Sequence, residues 1–244
     1  MPGLTDKGHH EDRRNTTQGS RHQRLATGPW TVDDAVPTIA EMQHAIPDTP
    51  RILTTTVGSY PIPSWLAACP TEESLVDAIR VVLETQYQAG IDLATDGELY
   101  RFDVDHPDTN GMIDYFVRPL GGVRSQVGYS DWHDFRQKSE MGFRARPAGV
   151  VEDTLSEGSL NLPAACDRIA RLARGPFKFT LTSPYMLART LLDRTYGDLE
   201  SLSLALADLL AHQMQHLSPA CVQIDEANVT GRPQDGPIAS RAIN

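Results

Sequence analysis

Acidic and hydroxyl side chains follow four apolar stretches of this chain, each at the point where a predicted β-strand ends. The four strand–turn pairs are Ile52–Thr56 with Val57-Gly58-Ser59-Tyr60, Ile91–Thr95 with Asp96-Gly97-Glu98, Phe177–Leu181 with Thr182-Ser183-Pro184-Tyr185, and Cys221–Ile224 with Asp225-Glu226. In an α/β barrel the loops after the strands converge over one mouth, where ligands bind. Polar residues repeated at this edge therefore predict a binding site.

The first turn, Val57-Gly58-Ser59, has the residue types that suit an anionic group. Gly58 permits close approach of the backbone to a ligand, and Ser59 offers a hydroxyl and a backbone N–H to a carboxylate or a sulfonate. The alternative is a Gly-Ser turn whose only task is to reverse the chain.

The second turn places two carboxylates, Asp96 and Glu98, on either side of Gly97. Such a pair can hold an amine, or can shift one pKa for proton transfer. In the alternative interpretation Asp96 caps a helix and Glu98 pairs with Arg101, three residues later.

The fourth turn carries the adjacent acids Asp225 and Glu226. Alternation along the strand gives two faces, with Cys221, Gln223 and Asp225 on one and Val222, Ile224 and Glu226 on the other. One carboxylate must then point into the barrel mouth, where it needs a ligand cation or a fixed water because burying an unpartnered acid is costly. A helix N-cap is an equally good interpretation of this pair.

Three other polar features favour structural roles. Ser183 is a good N-cap ahead of Pro184, and His106 is predicted to be an exposed loop residue. His212 and His216 have the i, i+4 spacing that can chelate a metal, but they lack a third ligand and are predicted to lie on a solvated helix face.

The elements that position these residues alternate between strands and helices. The predicted helices are one capped by Thr71 and ending before Gly90, then Pro163–Ala173 capped by Asn161 or Leu162, Pro184–Arg194, one beginning after Asp198, and Ile238–Asn244. From Arg101 to Leu160 loops and short strands are expected, with one strand near Ala148–Glu152. The alternation predicts an α/β fold of the (β/α)8 TIM-barrel type. Four strands, with one or two more, fall short of the eight that close a barrel.

The chain divides into two parts. Residues 1–49 have no apolar periodicity and are predicted to form a disordered polar tail, with one weak helix at Val36–His44 and a solvated pair His9 and His10. Residues 50–244 are predicted to form a partial barrel.

Composition excludes several classes of function. The 244 residues are 40% hydrophobic and 22% charged, as in a globular protein, and the formal net charge is −10. The negative net charge argues against nucleic-acid and anionic-membrane partners, which need a basic surface. No apolar run approaches the length of about 18 residues needed for a membrane span. Three separated cysteines, Cys69, Cys166 and Cys221, fit a reducing cytoplasm rather than a disulfide framework.

The ordered set of motifs is more specific than any single one. Three motifs, taken in order, resemble the C-terminal catalytic barrel of the cobalamin-independent methionine synthases. They are Thr56-Val57-Gly58-Ser59, Gln86-x-x-x-Gly90-Ile91-Asp92-x-x-Thr95-Asp96-Gly97-Glu98 and Gln223-Ile224-Asp225-Glu226. The resemblance covers about Arg51 to Asn244, the first two-thirds of such a barrel. That family transfers a methyl group from a folate to the thiol of homocysteine, and uses zinc to generate the thiolate.

The resemblance implies roles for five residues. Val57, Gly58 and Ser59 would hold the carboxylate of the amino acid, and Glu98 and Asp225 would hold its amino group. It assigns no catalytic residue and no metal ligand within this chain. The family's zinc ligands, a His-x-Cys pair with a later Glu and Cys, would lie beyond the last residue, so the chain is expected to be C-terminally truncated, inactive in methyl transfer and a poor independent folder. The family's Asp-Glu-Pro reads Asp-Glu-Ala here.

Two alternatives remain open. The first is a related thiol alkyltransferase such as an epoxyalkane–coenzyme M transferase, in which Arg101 or Arg118 would bind the sulfonate and Asp225 would lose its task. The second is a non-catalytic fragment that binds an amino acid, or nothing.

Overall fold

The structure is a computed structural model that describes residues 52–138 and 144–244. The predicted tail of residues 1–49, with its helix at Val36–His44, lies outside these residues. Among the described residues, no helix has the length and apolar character required to cross a membrane.

The described residues form a mixed α/β fold. The helices are α1 (Ser64–Ala68), α2 (Glu72–Gln88), α3 (Asp114–Val117), α4 (Tyr129–Lys138), α5 (Leu162–Leu172), α6 (Pro184–Thr190), α7 (Leu199–Met214) and α8 (Gly236–Ile243). The strands are β1 (Gly121–Arg124), β2 (Val150–Ser156), β3 (Lys178–Thr182), β4 (Leu192–Asp193) and β5 (Cys221–Asp225), and three short 3₁₀ turns lie at Leu99–Arg101, Val229–Gly231 and Pro233–Asp235.

Four segments of the chain run parallel, side by side. Thr55 forms a bridge with Leu93, Ala94 forms one with Phe177, and β3 pairs in parallel with β5 over its whole length. The predicted strands Ile52–Thr56 and Ile91–Thr95 are therefore reduced to isolated bridges, one in the first segment and two in the second. Between these two segments a side chain replaces some of the backbone hydrogen bonds of a regular sheet. The Asp92 carboxylate accepts from the Thr54 N–H and from the Thr54 hydroxyl, both at 2.9 Å.

A separate three-stranded sheet joins β1, β2 and β4. β1 is antiparallel to β2 and β4 is parallel to it, with Val150 opposite Leu192. The prediction of one helix over Pro184–Arg194 is wrong past Thr190, because the Leu192 N–H donates to the Gly149 carbonyl and begins β4 instead.

The predicted caps Thr71 and Ser183 are confirmed, and Asn161 rather than Leu162 caps α5. These three and Asp198, after which a helix was predicted to begin, each accept a backbone N–H at the start of α2, α6, α5 and α7 respectively. These bonds satisfy donors that have no partner within a helix. Gly90 follows α2 at φ +75°, the left-handed conformation in which glycine is favoured.

The core lies between the parallel run and the helices. The outward residues of β3, Phe179 and Leu181, are buried with the apolar faces of α2, α5 and α7 in one cluster. The region from Arg101 to Leu160 holds more regular structure than expected, namely α3, β1 and α4. α4 was not predicted because only two of its residues, Asp131 and Phe135, are buried, so it has no apolar stripe.

Candidate functional site

The inner face of β3 and β5 is polar. The register pairs Lys178 with Cys221, Thr180 with Gln223 and Thr182 with Asp225. Side chains that are opposite one another in parallel strands share a face, so these six lie on one side and the apolar residues of β3 on the other. Lys178, Thr180 and Thr182 are each at most 3% exposed. A buried polar face of this kind needs internal partners or a ligand.

The first loop, Val57-Gly58-Ser59, lies against the side chain of Glu98. The Ser59 hydroxyl donates to Glu98 Oε2 at 2.5 Å. A Cβ placed on Gly58 would lie 2.5 Å from Glu98 Oε1, so a larger residue there would displace this carboxylate. Glu98 itself is the one described non-glycine residue with positive φ, at +62°. Strained backbone of this type persists where the surroundings fix it, commonly at functional sites.

Arg101 and Thr180 also hold the Glu98 carboxylate in place. Arg101 Nη1 lies 3.3 Å from Glu98 Oε2, which confirms their predicted pairing, and the Thr180 hydroxyl donates to Oε1 at 3.2 Å. Arg101 is 2% exposed, and its Nη2 donates to the carbonyl and hydroxyl oxygens of Thr180, both at 2.8 Å. The Glu98 carboxylate keeps 12% of its surface exposed, so it is held in place without being fully covered.

Asp96 has a structural role. Its two oxygens accept the backbone N–H groups of Glu98 at 3.0 Å and Tyr100 at 2.7 Å, which fixes the turn that carries Glu98. Burial raises the pKa of Asp96 to about 6, while the two N–H groups and Arg101 oppose that shift. Asp96 therefore stabilises the turn, as a structural alternative requires, although the residue at the N-cap of Leu99–Arg101 is Glu98. Glu98 is the carboxylate of this turn that reaches the inner face.

Asp225 is joined to the first loop through an amide. Gln223 Nε2 donates to Asp225 Oδ1 at 2.6 Å and to the Val57 carbonyl at 2.9 Å. The side chains of Gln223 and Asp225 are two residues apart on one strand, so they share the inner face. Asp225 is half-buried and has no described cationic partner within 4 Å.

Glu226 points the other way. Its carboxylate accepts from the Ser183 hydroxyl, and from the backbone N–H groups of Asn228 at 2.6 Å and Val229 at 3.2 Å. These contacts fix the loop after β5 to the start of α6. Of the two adjacent acids, Asp225 is the one on the inner face.

Lys178 was missed by sequence reasoning. Its ammonium donates to the carbonyl of Thr56, to that of Val57 at 3.2 Å and to Gln223 Oε1 at 2.6 Å, and the residue is 3% exposed. Burial lowers the pKa of Lys178, while the nearby Cys221, Asp225 and Glu98 oppose the shift. A lysine between two phenylalanines of a predicted buried strand was the signal that could have found it.

The five predicted residues lie in one connected network, in which hydrogen bonds involve four of them. Ser59 donates to Glu98, and Gln223 donates both to the Val57 carbonyl and to Asp225. Gly58 joins Val57 to Ser59 in the loop, with its Cα facing the Glu98 carboxylate. A cavity of about 680 Å³ lies elsewhere, among Phe102, Tyr115, Arg168 and residues near them, and none of the five lines it.

The described residues do not fit a zinc ion. Among them no group of three or more His, Cys, Asp or Glu side chains is placed to hold a metal. His212 instead lies 2.7 Å from Glu157, on a helix face as predicted, and its ring contacts that of His216. The three cysteines are free thiols. No zinc-dependent step is therefore assigned to these residues.

Comparison with known proteins identifies relatives of this chain. No protein-family model matches the chain. Methionine synthase of Pyrococcus horikoshii is 26% identical over 210 residues, which cover 80% of this chain and 57% of that protein. Methionine synthase of Saccharolobus solfataricus is 25% identical over 213 residues, covering 80% and 58%. The resemblance to methionine synthases is confirmed.

A solved structure shows the same fold. The B12-independent methionine synthase of Shewanella sp. W3-18-1, in complex with selenomethionine, superposes with a TM-score of 0.58 at 22% identity, over 78% of this chain and 56% of that one. The chain thus spans a little over half the length of the methionine synthases it matches.

Proposed function

We propose that this chain carries the amino-acid subsite of a methionine synthase-type methyltransferase, which transfers a methyl group from a folate donor to the thiol of homocysteine. The observation that carries the proposal is that one loop meets both acids: Ser59 binds Glu98, and Val57 is joined through Gln223 to Asp225. The parallel run also supports a partial (β/α)8 barrel over residues 50–244.

The chemistry of the network matches an α-amino acid. Two carboxylates on one face, Glu98 and Asp225, suit an ammonium group, and the Gly58-Ser59 backbone suits a carboxylate. A zwitterion held at both ends has its side chain directed away from the two contacts. These residues would therefore bind and orient homocysteine, leaving its thiol for the reaction. The folate and the zinc enter the proposal through the resemblance alone.

Neither arginine named for the sulfonate in the coenzyme M alternative is free to bind it. Arg101 is buried and bound to Glu98 and Thr180, so it is not free to reach a ligand. Arg118 pairs with Asp114 at 3.1 Å and donates to Thr109 at 3.2 Å, on the cavity separate from the network. Two acids at the site favour a ligand with an amine.

Calorimetric titration of the 244-residue chain with L-homocysteine and with coenzyme M separates the candidates. The proposal predicts saturable binding of homocysteine, and none of coenzyme M at the same concentrations. Binding of coenzyme M alone would favour the alkyltransferase alternative, and binding of neither thiol would contradict the proposed function.

Asp225→Asn tests the assigned contact directly. Because the change removes a charged partner of the ammonium group, homocysteine affinity is expected to fall by about 1–3 kcal/mol. Asp208→Asn, the same change on the exposed face of α7, is the matched control and should leave affinity unchanged. Equal affinities of the two variants, measured by the same titration, would remove Asp225 from the site.

A further inference from the structure

The ammonium group of Lys178 joins the two halves of the network. Its three N–H donors are matched by three acceptors, the carbonyls of Thr56 and Val57 and the amide oxygen of Gln223. The two carbonyls belong to the loop that presents Gly58 and Ser59, and the amide belongs to the residue that holds Asp225.

All three acceptors are uncharged. Among the described residues Lys178 forms no ion pair within 4 Å, although it is 3% exposed. A buried charge without a paired counter-charge is costly, so a lysine at this position requires a compensating benefit. One candidate benefit is the electrostatic field of the ammonium, which favours an anion at the adjacent Gly58-Ser59 loop.

The contact with Gln223 also fixes the direction of its amide. Because Oε1 accepts from Lys178 at 2.6 Å, Nε2 must face the opposite way, toward Asp225 at 2.6 Å and Val57 at 2.9 Å. An amide turned by half a rotation would present an oxygen to the Asp225 carboxylate, which is repulsive. Lys178 therefore determines the position of the acid as well as that of the loop.

We propose that Lys178 is a positioning residue that couples recognition of the α-carboxylate to recognition of the α-amino group in one amino-acid subsite. The inference rests on the proposed function, because it takes homocysteine or a similar α-amino acid as the ligand. Lys178 acts through Val57 and Gln223, and need not touch the ligand itself.

The test measures how strongly each end of the ligand is recognised. Titrations use L-homocysteine, 4-mercaptobutyrate, which lacks the amino group, and 3-aminopropane-1-thiol, which lacks the carboxylate. In the unaltered chain, loss of either group should weaken binding about tenfold or more. In Lys178→Met, homocysteine should bind about tenfold more weakly, and both penalties should shrink together to about threefold or less.

A purely structural role gives a different pattern. If Lys178→Met lowers the affinity for all three ligands by the same factor, both penalties persist and the coupling is overturned. Lys138→Met, which removes an exposed lysine at the end of α4, is the matched control and should leave all three affinities unchanged.

A second variant covers the case in which Lys178→Met does not fold. Gln223→Leu breaks the path to Asp225 but leaves the lysine on the Thr56 and Val57 carbonyls. It should shrink the penalty for losing the amino group, because only Glu98 then remains in position, and retain the penalty for losing the carboxylate. An unchanged amino-group penalty overturns the coupling while the proposed function stands. Failure of the unaltered chain to bind homocysteine overturns both.

Discussion

Four carboxylates follow the strands of the parallel run, and their partners divide them into two kinds. Asp96 and Glu226 accept backbone N–H groups and hold turns in place. Glu98 and Asp225 accept from side chains on the inner face and remain partly exposed. Asp96 is only 1% exposed, and Glu226 is turned toward the start of α6, so the second pair is where an ammonium group can be bound.

The buried Asp96 carboxyl gives the fold a pH dependence whose sign is defined. Because burial raises the folded-state pKa from 3.8 to about 6, the folded state binds more protons than the unfolded state between these values. The Asp96 contribution to stability is therefore greatest below pH 3.8 and is lost as the pH rises through about 6.

Asp96→Asn removes this titration and isolates it from those of the other acids. Urea denaturation of both proteins across about pH 4 to 7 should show the free energy of unfolding of the unaltered chain falling relative to that of the variant. If the free energy of unfolding of the unaltered chain stays constant or rises with pH relative to that of the variant, the folded-state pKa of Asp96 is not raised.

At the scale of elements, Gly97 determines how the first loop meets the second turn. Its carbonyl accepts the Tyr60 N–H at 2.9 Å, and its φ is +78°. A Cβ at this position would lie 2.6 Å from the Tyr60 Cβ and 3.0 Å from Val82 Cγ1. The residue therefore needs both the left-handed backbone and the absence of a side chain.

Gly97→Ala and Gly90→Ala together separate these two requirements. Gly90 has a similar φ of +75°, but no atom lies within 4 Å of an added Cβ, so its substitution should cost only the backbone strain of about 1–2 kcal/mol. Gly97→Ala should cost about 1–3 kcal/mol more because of overpacking. Equal shifts of the two denaturation midpoints would show that Tyr60 and Val82 move aside freely.

Local signals predicted the longer amphipathic helices α2, α5 and α7 well, and the short helices and the strands less well. The caps at Thr71, Asn161 and Asp198 are set by side chains a few residues from their partners, and so can be inferred from sequence. A strand depends on a partner far along the chain. Thr54 meets Asp92 38 residues away, and the short β4 exists only because Leu192 lies beside Val150.

At the scale of the whole molecule, the site is assembled from widely separated segments. The bond between Gln223 and Val57 spans 166 residues of sequence. The family resemblance brought Ser59, Glu98 and Asp225 together, because each lies in a recognisable motif at a strand end. Lys178 is in no such motif, and its role follows only from three long-range contacts that the sequence does not specify.

Folding and ligand binding should consequently be linked. A ligand that bridges the ends of three segments binds only the folded chain, and stabilises it by mass action. L-Methionine at about one hundred times its dissociation constant should add about 2.7 kcal/mol to the free energy of unfolding, measured by urea denaturation. Asp225→Asn at the same methionine concentration should show a smaller gain, and an equal gain would place the ligand away from Asp225.

A crystal structure tests most directly whether an amino-acid subsite lies at the strand ends. The 244-residue chain is expressed with ordinary methionine, crystallised without ligand, and soaked in L-selenomethionine. Selenium scatters anomalously, so its position identifies the ligand. One selenium is expected beside the inner face, with the amino nitrogen within about 3.2 Å of Glu98 or Asp225 and the carboxylate on Ser59. Selenium in the cavity lined by Tyr115 and Arg168, or no bound selenium, would contradict this prediction.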